Sequence, residues 1–157
     1  MDRAEREALV AQYEDGYNAV TGALAGITAA EWDAREAPGE WSPREVVHHL
    51  ADSEMTSALR FRRLIVEDRP VIVGYDQEEF ARRLFYDRPV EASLAVFKAS
   101  RETTAQILHR LGPEDWSREG THSDSGRYTV DDWLGIYAAH AHDHADQIRR
   151  ARATLTG

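Results

Sequence analysis

The sequence predicts an all-α domain, a four-helix bundle. Long stretches repeat their apolar residues at three- and four-residue steps, and serine or threonine capping patterns open them. No segment reads convincingly as a strand, and segments that must bury one apolar stripe each are most simply satisfied by packing as a bundle. At 157 residues with 42% hydrophobic side chains, one domain spanning residues 1–157 is expected, large enough to bury a core without staples.

The first helix is expected over residues 2–27. Leu9, Tyr13, Tyr17, Val20, Leu24 and Ile27 form one stripe, and Gly16, Gly22 and Gly26 each weaken it by up to about 1 kcal/mol relative to alanine. Thr28-Ala-Ala-Glu31 has capping-box spacing and opens a short turn containing Trp32. After a loop ending in Trp41, Ser42-Pro43-Arg44-Glu45 combines a cap, a proline at the first helical position and a glutamate three residues on. That helix should run from Pro43 to about Val66, with Val46, Val47, Leu50, Leu59, Phe61, Leu64 and Ile65 as its apolar positions.

Residues 67–75 read as turns, and Gln77 to Phe85 as a short helix ended by Asp87-Arg88-Pro89. A third long helix opens at Val90 or Glu91, carries Leu94, Phe97, Ile107, Leu108 and Leu111, and stops at Gly112-Pro113. Pro113 to Trp116 reads as one further helical turn. Residues 117–128, rich in Ser, Gly, Asp and Thr, read as a surface loop. Thr129-Val-Asp-Asp132 caps the last long helix, which has no breaker up to Leu155 and carries Trp133, Ile136, Tyr137, Ile148 and Leu155.

Composition excludes several chemistries. With no cysteine, disulfides, thiolate metal sites and cysteine nucleophiles are all absent, so a transition-metal site must use histidine and carboxylate. A formal charge of −9 argues against nucleic acid as a partner. No apolar run approaches membrane-spanning length, so no membrane partner is expected. The charged start MDRAEREALV has no signal-peptide core, which makes the cytoplasm the expected compartment.

The chemistry concentrates in histidines. Three of the seven fall in His140-Ala-His142-Asp-His144. On a helix His140 and His144 stand one turn apart on one face, about 6 Å between Cβ atoms, and can share one metal ion. His142 points elsewhere. A third ligand must come from another helix, and His48 and His49 are the candidates. They point about 100° apart, and helical phase does not choose between them.

Two stretches carry a resemblance. Glu40-Trp-Ser-Pro-Arg-Glu-Val-Val-His-His49-Leu-Ala-Asp-Ser-Glu54 resembles one signature of the DinB-like (DinB/YfiT) superfamily, in which a histidine just before an aliphatic residue is a metal ligand. His140-Ala-His-Asp-His144-Ala-Asp-Gln-Ile148 resembles the second, two histidines four apart followed by Gln-Ile. The resemblance covers essentially the whole chain and implies a DinB-like bundle with His49, His140 and His144 as ligands, His49 because it precedes Leu50. It leaves His48 and His142 beside the site or facing solvent, and His109 and His122 without a role. It also implies a divalent metal, zinc or nickel first, and a homodimer.

The implied activity is a metal-dependent hydrolase, or a small-thiol S-transferase with a low-molecular-weight thiol as co-substrate, acting on a small molecule. The alternative is a non-catalytic, metal-stabilised, stress-related binding or dimerisation module. Asp52, one turn after His49, and Asp143, next to His144 and one turn after His140, are candidates to orient a ligand imidazole. Gln147, one turn beyond His144, is expected to tie helices together or line the pocket.

Overall fold

The computed structural model describes residues 1–155; the last two residues of the expected domain, Thr156 and Gly157, lie outside the described residues. Four long helices dominate: α1 (Arg3–Leu24), α2 (Pro43–Val66), α4 (Glu91–Leu108) and α6 (Val130–Ala153). Two short ones lie between them, α3 (Gln77–Arg83) and α5 (Pro113–Trp116), with a 3₁₀ turn at Glu31–Asp33. The sequence-predicted caps form. Ser42 accepts from the Glu45 amide while the Glu45 side chain accepts from the Ser42 amide, and Thr129 and Asp132 repeat that exchange at the start of α6.

The helices do not follow one another around the ring. α1 packs on α6 and α4, and α2 packs on those same two helices. So α1 and α2, consecutive in sequence, stand on opposite corners. Arg6 at the start of α1 meets Asp131 at the start of α6, and Ala23 near its end meets Arg152; these neighbours run parallel. Against α2, α6 runs the other way, since Ser57 meets Trp133 and His49 meets His140. α4 runs with α2, since Ser93 meets His48 and Thr104 meets Arg62, and the bundle is up-down-down-up.

Two apolar clusters fill it. One gathers around Tyr13, Phe61, Trp133 and Leu134, the other around Val20, Val46, Leu50, Phe97 and Ile148. Between them Arg101 and Glu54, 2% and 1% exposed, make a buried ion pair with Nε 2.9 Å from Oε2. The two terminal guanidinium nitrogens of Arg101 donate to the carbonyls of Tyr13 and Tyr137, and the Tyr13 hydroxyl donates to Glu54 Oε1. Every long helix contributes to this knot.

The expectation of no strands is corrected. Three strands, β1 (Val71–Ile72), β2 (Glu119–His122) and β3 (Gly126–Thr129), form one sheet in the order β1-β2-β3. β1 pairs parallel to β2 through Val71 and Thr121, and β2 pairs antiparallel to β3. Strands of two to four residues are too short to show alternation, and the parallel pairing joins segments some fifty residues apart.

Helix ends shift as well. α1 stops at Leu24 and not Ile27, with Gly26 at φ +66° turning the chain. α3 ends at Arg83 and α4 at Leu108, short of Phe85 and Leu111. Leu59 and Ile136, expected to face the core, are 61% and 51% exposed, as is Leu155 at 53%. No helix is long and apolar enough to cross a membrane among the described residues.

Candidate metal centre

The antiparallel packing of α2 on α6 brings His49, His140 and His144 together, with one potential ligand atom from each lying within 4.8 Å of the others. Ring centroids are 5.2 Å apart for His49–His140, 4.7 Å for His49–His144 and 4.6 Å for His140–His144. The two last named come from one helix face; His49 comes from the other wall of the seam. Trp41, held in the loop before α2, covers the cluster with its ring centroid 4.6 Å from His49 and lies nearly parallel to His144 at 6.5 Å.

The structure also separates His48 from His49. Of the two places expected for His48, beside the site or facing solvent, the second is corrected: the ring is fully buried. Its Nε2 lies 2.9 Å from the Arg88 carbonyl and its Nδ1 2.8 Å from the Ser93 hydroxyl. A carbonyl only accepts, so Nε2 carries the proton and Nδ1 accepts from Ser93. Both nitrogens are spent. His49 has the opposite condition: Nδ1 is buried with no partner among the described residues, and Nε2 faces His140 Nε2 at 3.3 Å.

Burial sets the charge state of the cluster. It pushes His49 down to about 3, with His144 adding repulsion, and His140 down to about 2, with His144, His49 and Arg101 acting in the same direction. His144 is also lowered by burial, against its bond to Gln147 and the charge of Asp143. At neutral pH these rings are uncharged, the form in which imidazole coordinates a metal.

His144 Nδ1 donates to Gln147 Oε1 at 2.8 Å, which leaves Nε2 with its lone pair towards the cluster. The orienting role considered for Asp143 thus falls to Gln147, while the Asp143 side chain is exposed and acts on His144 only through its charge. Asp52 is likewise not bonded to a ligand imidazole. Its Oδ2 accepts from the Tyr86 hydroxyl at 2.7 Å. His142 Nε2 reaches the Gln12 carbonyl at 3.0 Å, and His109 pairs with Glu14. Tyr75 and Tyr86 near the seam were missed from sequence, since a lone tyrosine in a turn carries no spacing signal.

The cluster fits a divalent metal by the chemistry of its donors. Metal–imidazole bonds of about 2.0–2.1 Å at a tetrahedral angle put ligand nitrogens about 3.3 Å apart, the separation found between His49 and His140. Three neutral nitrogens suit zinc, nickel, copper or iron, and the absence of a carboxylate ligand disfavours magnesium and calcium.

The family model of the DinB superfamily matches residues 12–148. A protein of Oceanobacillus iheyensis is 38% identical over 110 residues, 70% of this chain and 64% of that relative's length. A Bacillus cereus protein is 30% identical over 146 residues, 93% of this chain and 84% of its own. Both carry the name "putative metal-dependent hydrolase". Among solved structures, YfiT from Bacillus subtilis, described as a probable metal-dependent hydrolase with an unusual four-helix bundle topology, superposes with a TM-score of 0.92 at 25% identity, covering 99% of this chain and 90% of that one.

Proposed function

Since the chain belongs to the DinB superfamily, we propose that it is a metal-dependent hydrolase of a small molecule, holding one divalent metal, zinc or nickel first, on His49, His140 and His144. The observation that carries this reading is the convergence of three buried, uncharged imidazoles from two helices. A metal held by three neutral nitrogens keeps its full positive charge and open positions, and so can polarise a carbonyl or favour an ionised water.

The chain's own groups do the positioning. Gln147 fixes the ring of His144 through Nδ1. Trp41 shields the cluster from one side and excludes water there. The His140 face of α6 is steadied from below, because Arg101 donates to the carbonyl of Tyr137 one turn earlier at 2.7 Å.

A second reading follows from the same donor set. An all-nitrogen site with no anionic ligand favours an anionic partner at its open position, and a thiolate serves as well as an ionised water. Transfer of a small thiol is therefore the alternative activity, with that thiol as co-substrate.

Elemental analysis of untagged protein tests the metal reading. About one divalent ion per chain is expected, lost in His49→Ala and His140→Ala. Full retention of metal in both variants refutes the ligand assignment. Ester and amide substrates with and without added thiol then separate the two activities. A metal-loaded protein inert to all of them would favour the non-catalytic module, in which metal removal lowers the melting temperature and nothing else changes.

A further inference from the structure

Beyond the three histidines, the seam between α2 and α6 continues as a second polar cluster. Ser53 stands one turn after His49 on α2, and Tyr137 stands one turn before His140 on α6, its ring 5.7 Å from that histidine. Tyr75 joins them from the segment between β1 and α3. Its hydroxyl is buried and has no hydrogen-bond partner among the described residues. Burial pushes its pKa up, so the hydroxyl keeps its proton; the Ser53 side chain lies near enough to lower it as a hydrogen-bond partner would, without reaching bonding geometry, and Tyr137, Arg60 and Asp52 act through charge. Native proteins leave few buried hydroxyls unpaired, and such a group calls for an explanation.

Arg60 lies at the same place. Its guanidinium carbon is 5.8 Å from the Tyr75 ring centroid. Its terminal nitrogens donate to the Tyr137 hydroxyl at 3.3 Å and to the Val73 carbonyl at 2.8 Å. Two donors are thus used of the five a guanidinium has, and the Tyr137 hydroxyl, having accepted one bond, can still donate its own. Of the carboxylates nearby, Asp52 accepts from the Tyr86 hydroxyl through Oδ2 and Glu54 is paired with Arg101.

The backbone that presents Tyr75 is fixed by the small sheet. The Gly74 amide donates to Ser123 Oγ at 2.9 Å, and a Cβ at Gly74 would stand 2.2 Å from Asp124 Oδ2. The hydroxyl is therefore held in place without a partner of its own, and does not hang from a free loop.

We propose that Tyr75 and Arg60, with the Tyr137 hydroxyl, form an anion subsite that receives a carboxylate of the substrate while its reacting group lies at the three histidines. Two hydroxyl donors beside a fixed cation match an oxyanion, and one guanidinium matches a single negative charge. The substrate class is accordingly a small carboxylic acid. This rests on the metal-centre reading of the preceding section.

The test uses untagged, cobalt-loaded protein and two probe pairs, 3-mercaptopropionate with its amide and 4-mercaptobutyrate with its amide. The thiolate binds cobalt and gives a charge-transfer absorbance from which affinity is read. In at least one pair the acid should bind about tenfold tighter than the amide. Tyr75→Phe and Arg60→Gln should each lower that ratio about threefold or more while cobalt stoichiometry, which reports folding, stays unchanged. Equal affinities for acid and amide in cobalt-loaded protein, or a ratio unmoved by both substitutions, overturn the subsite alone. Failure to take up cobalt overturns the metal-centre reading and the subsite with it.

Discussion

Replacing Arg101 by methionine should destabilise the protein far more than loss of one surface charge. The guanidinium is 2% exposed and donates to Glu54 and to two helix carbonyls. Methionine fills much of its volume but leaves the Glu54 carboxylate buried at 1% exposure, facing only the Tyr13 and Ser57 hydroxyls. Stranding one member of a buried pair costs about 3–5 kcal/mol, a large share of the roughly 5–15 kcal/mol that holds a domain of this kind together. Removing both charges is different. Arg101→Met with Glu54→Leu should return to within about 2 kcal/mol of the wild type, the residue being the unpaired Tyr13 hydroxyl. Urea denaturation of the metal-free proteins measures all of these forms, and the double-mutant cycle isolates the pair. The single substitution should also weaken metal binding, because Arg101 anchors the Tyr137 carbonyl one turn before His140. A single-mutant loss below about 1 kcal/mol would refute the view of this knot as a charge pair dependent on both members.

Three further outcomes follow. Gly16→Ala should destabilise despite alanine's advantage of about 1 kcal/mol in a helix, because the added Cβ would stand 2.2 Å from an Arg101 nitrogen and 2.8 Å from the Ala141 Cβ; an unchanged urea midpoint contradicts it. Gln147→Leu should weaken metal affinity about 10–100-fold through loss of the His144 orientation, and competition against a chromogenic chelator reads this directly. Metal-free protein should lose stability as pH falls from about 6.5, where unfolded histidines take up protons, towards about 3, where His49 does so in the fold. His49 and His140, both depressed, each contribute a slope of about 1.4 kcal/mol per pH unit in that window. Between pH 6.5 and 5 the double variant His49→Ala, His140→Ala should show a flatter curve, and an equal slope would mean that the two rings are not held neutral.

Much of this protein is local and so was written in its sequence. Caps at Ser42 and Thr129, the apolar stripes and the one-turn spacing of His140 and His144 all depend on residues a few positions apart, where helical geometry is fixed by the backbone. The motif resemblance added the pairing of His49 with that helix face. What the tertiary structure alone decided is everything that depends on which surfaces meet. Periodicity could not separate His48 from His49; the Arg88 carbonyl and Ser93 hydroxyl, forty and forty-five residues away, occupy one and leave the other free. Nor could spacing show that Gln147, and not Asp143, would meet the His144 ring, since both sit within a turn and the rotamer depends on packing. The sheet that holds Tyr75 joins strands too short to show a pattern, and the diagonal placement of α1 and α2 follows from the Arg101–Glu54 knot and the two apolar clusters around it. Sequence determined the helices and the histidines because those are short-range properties. Tertiary packing decided which nitrogens were left to bind.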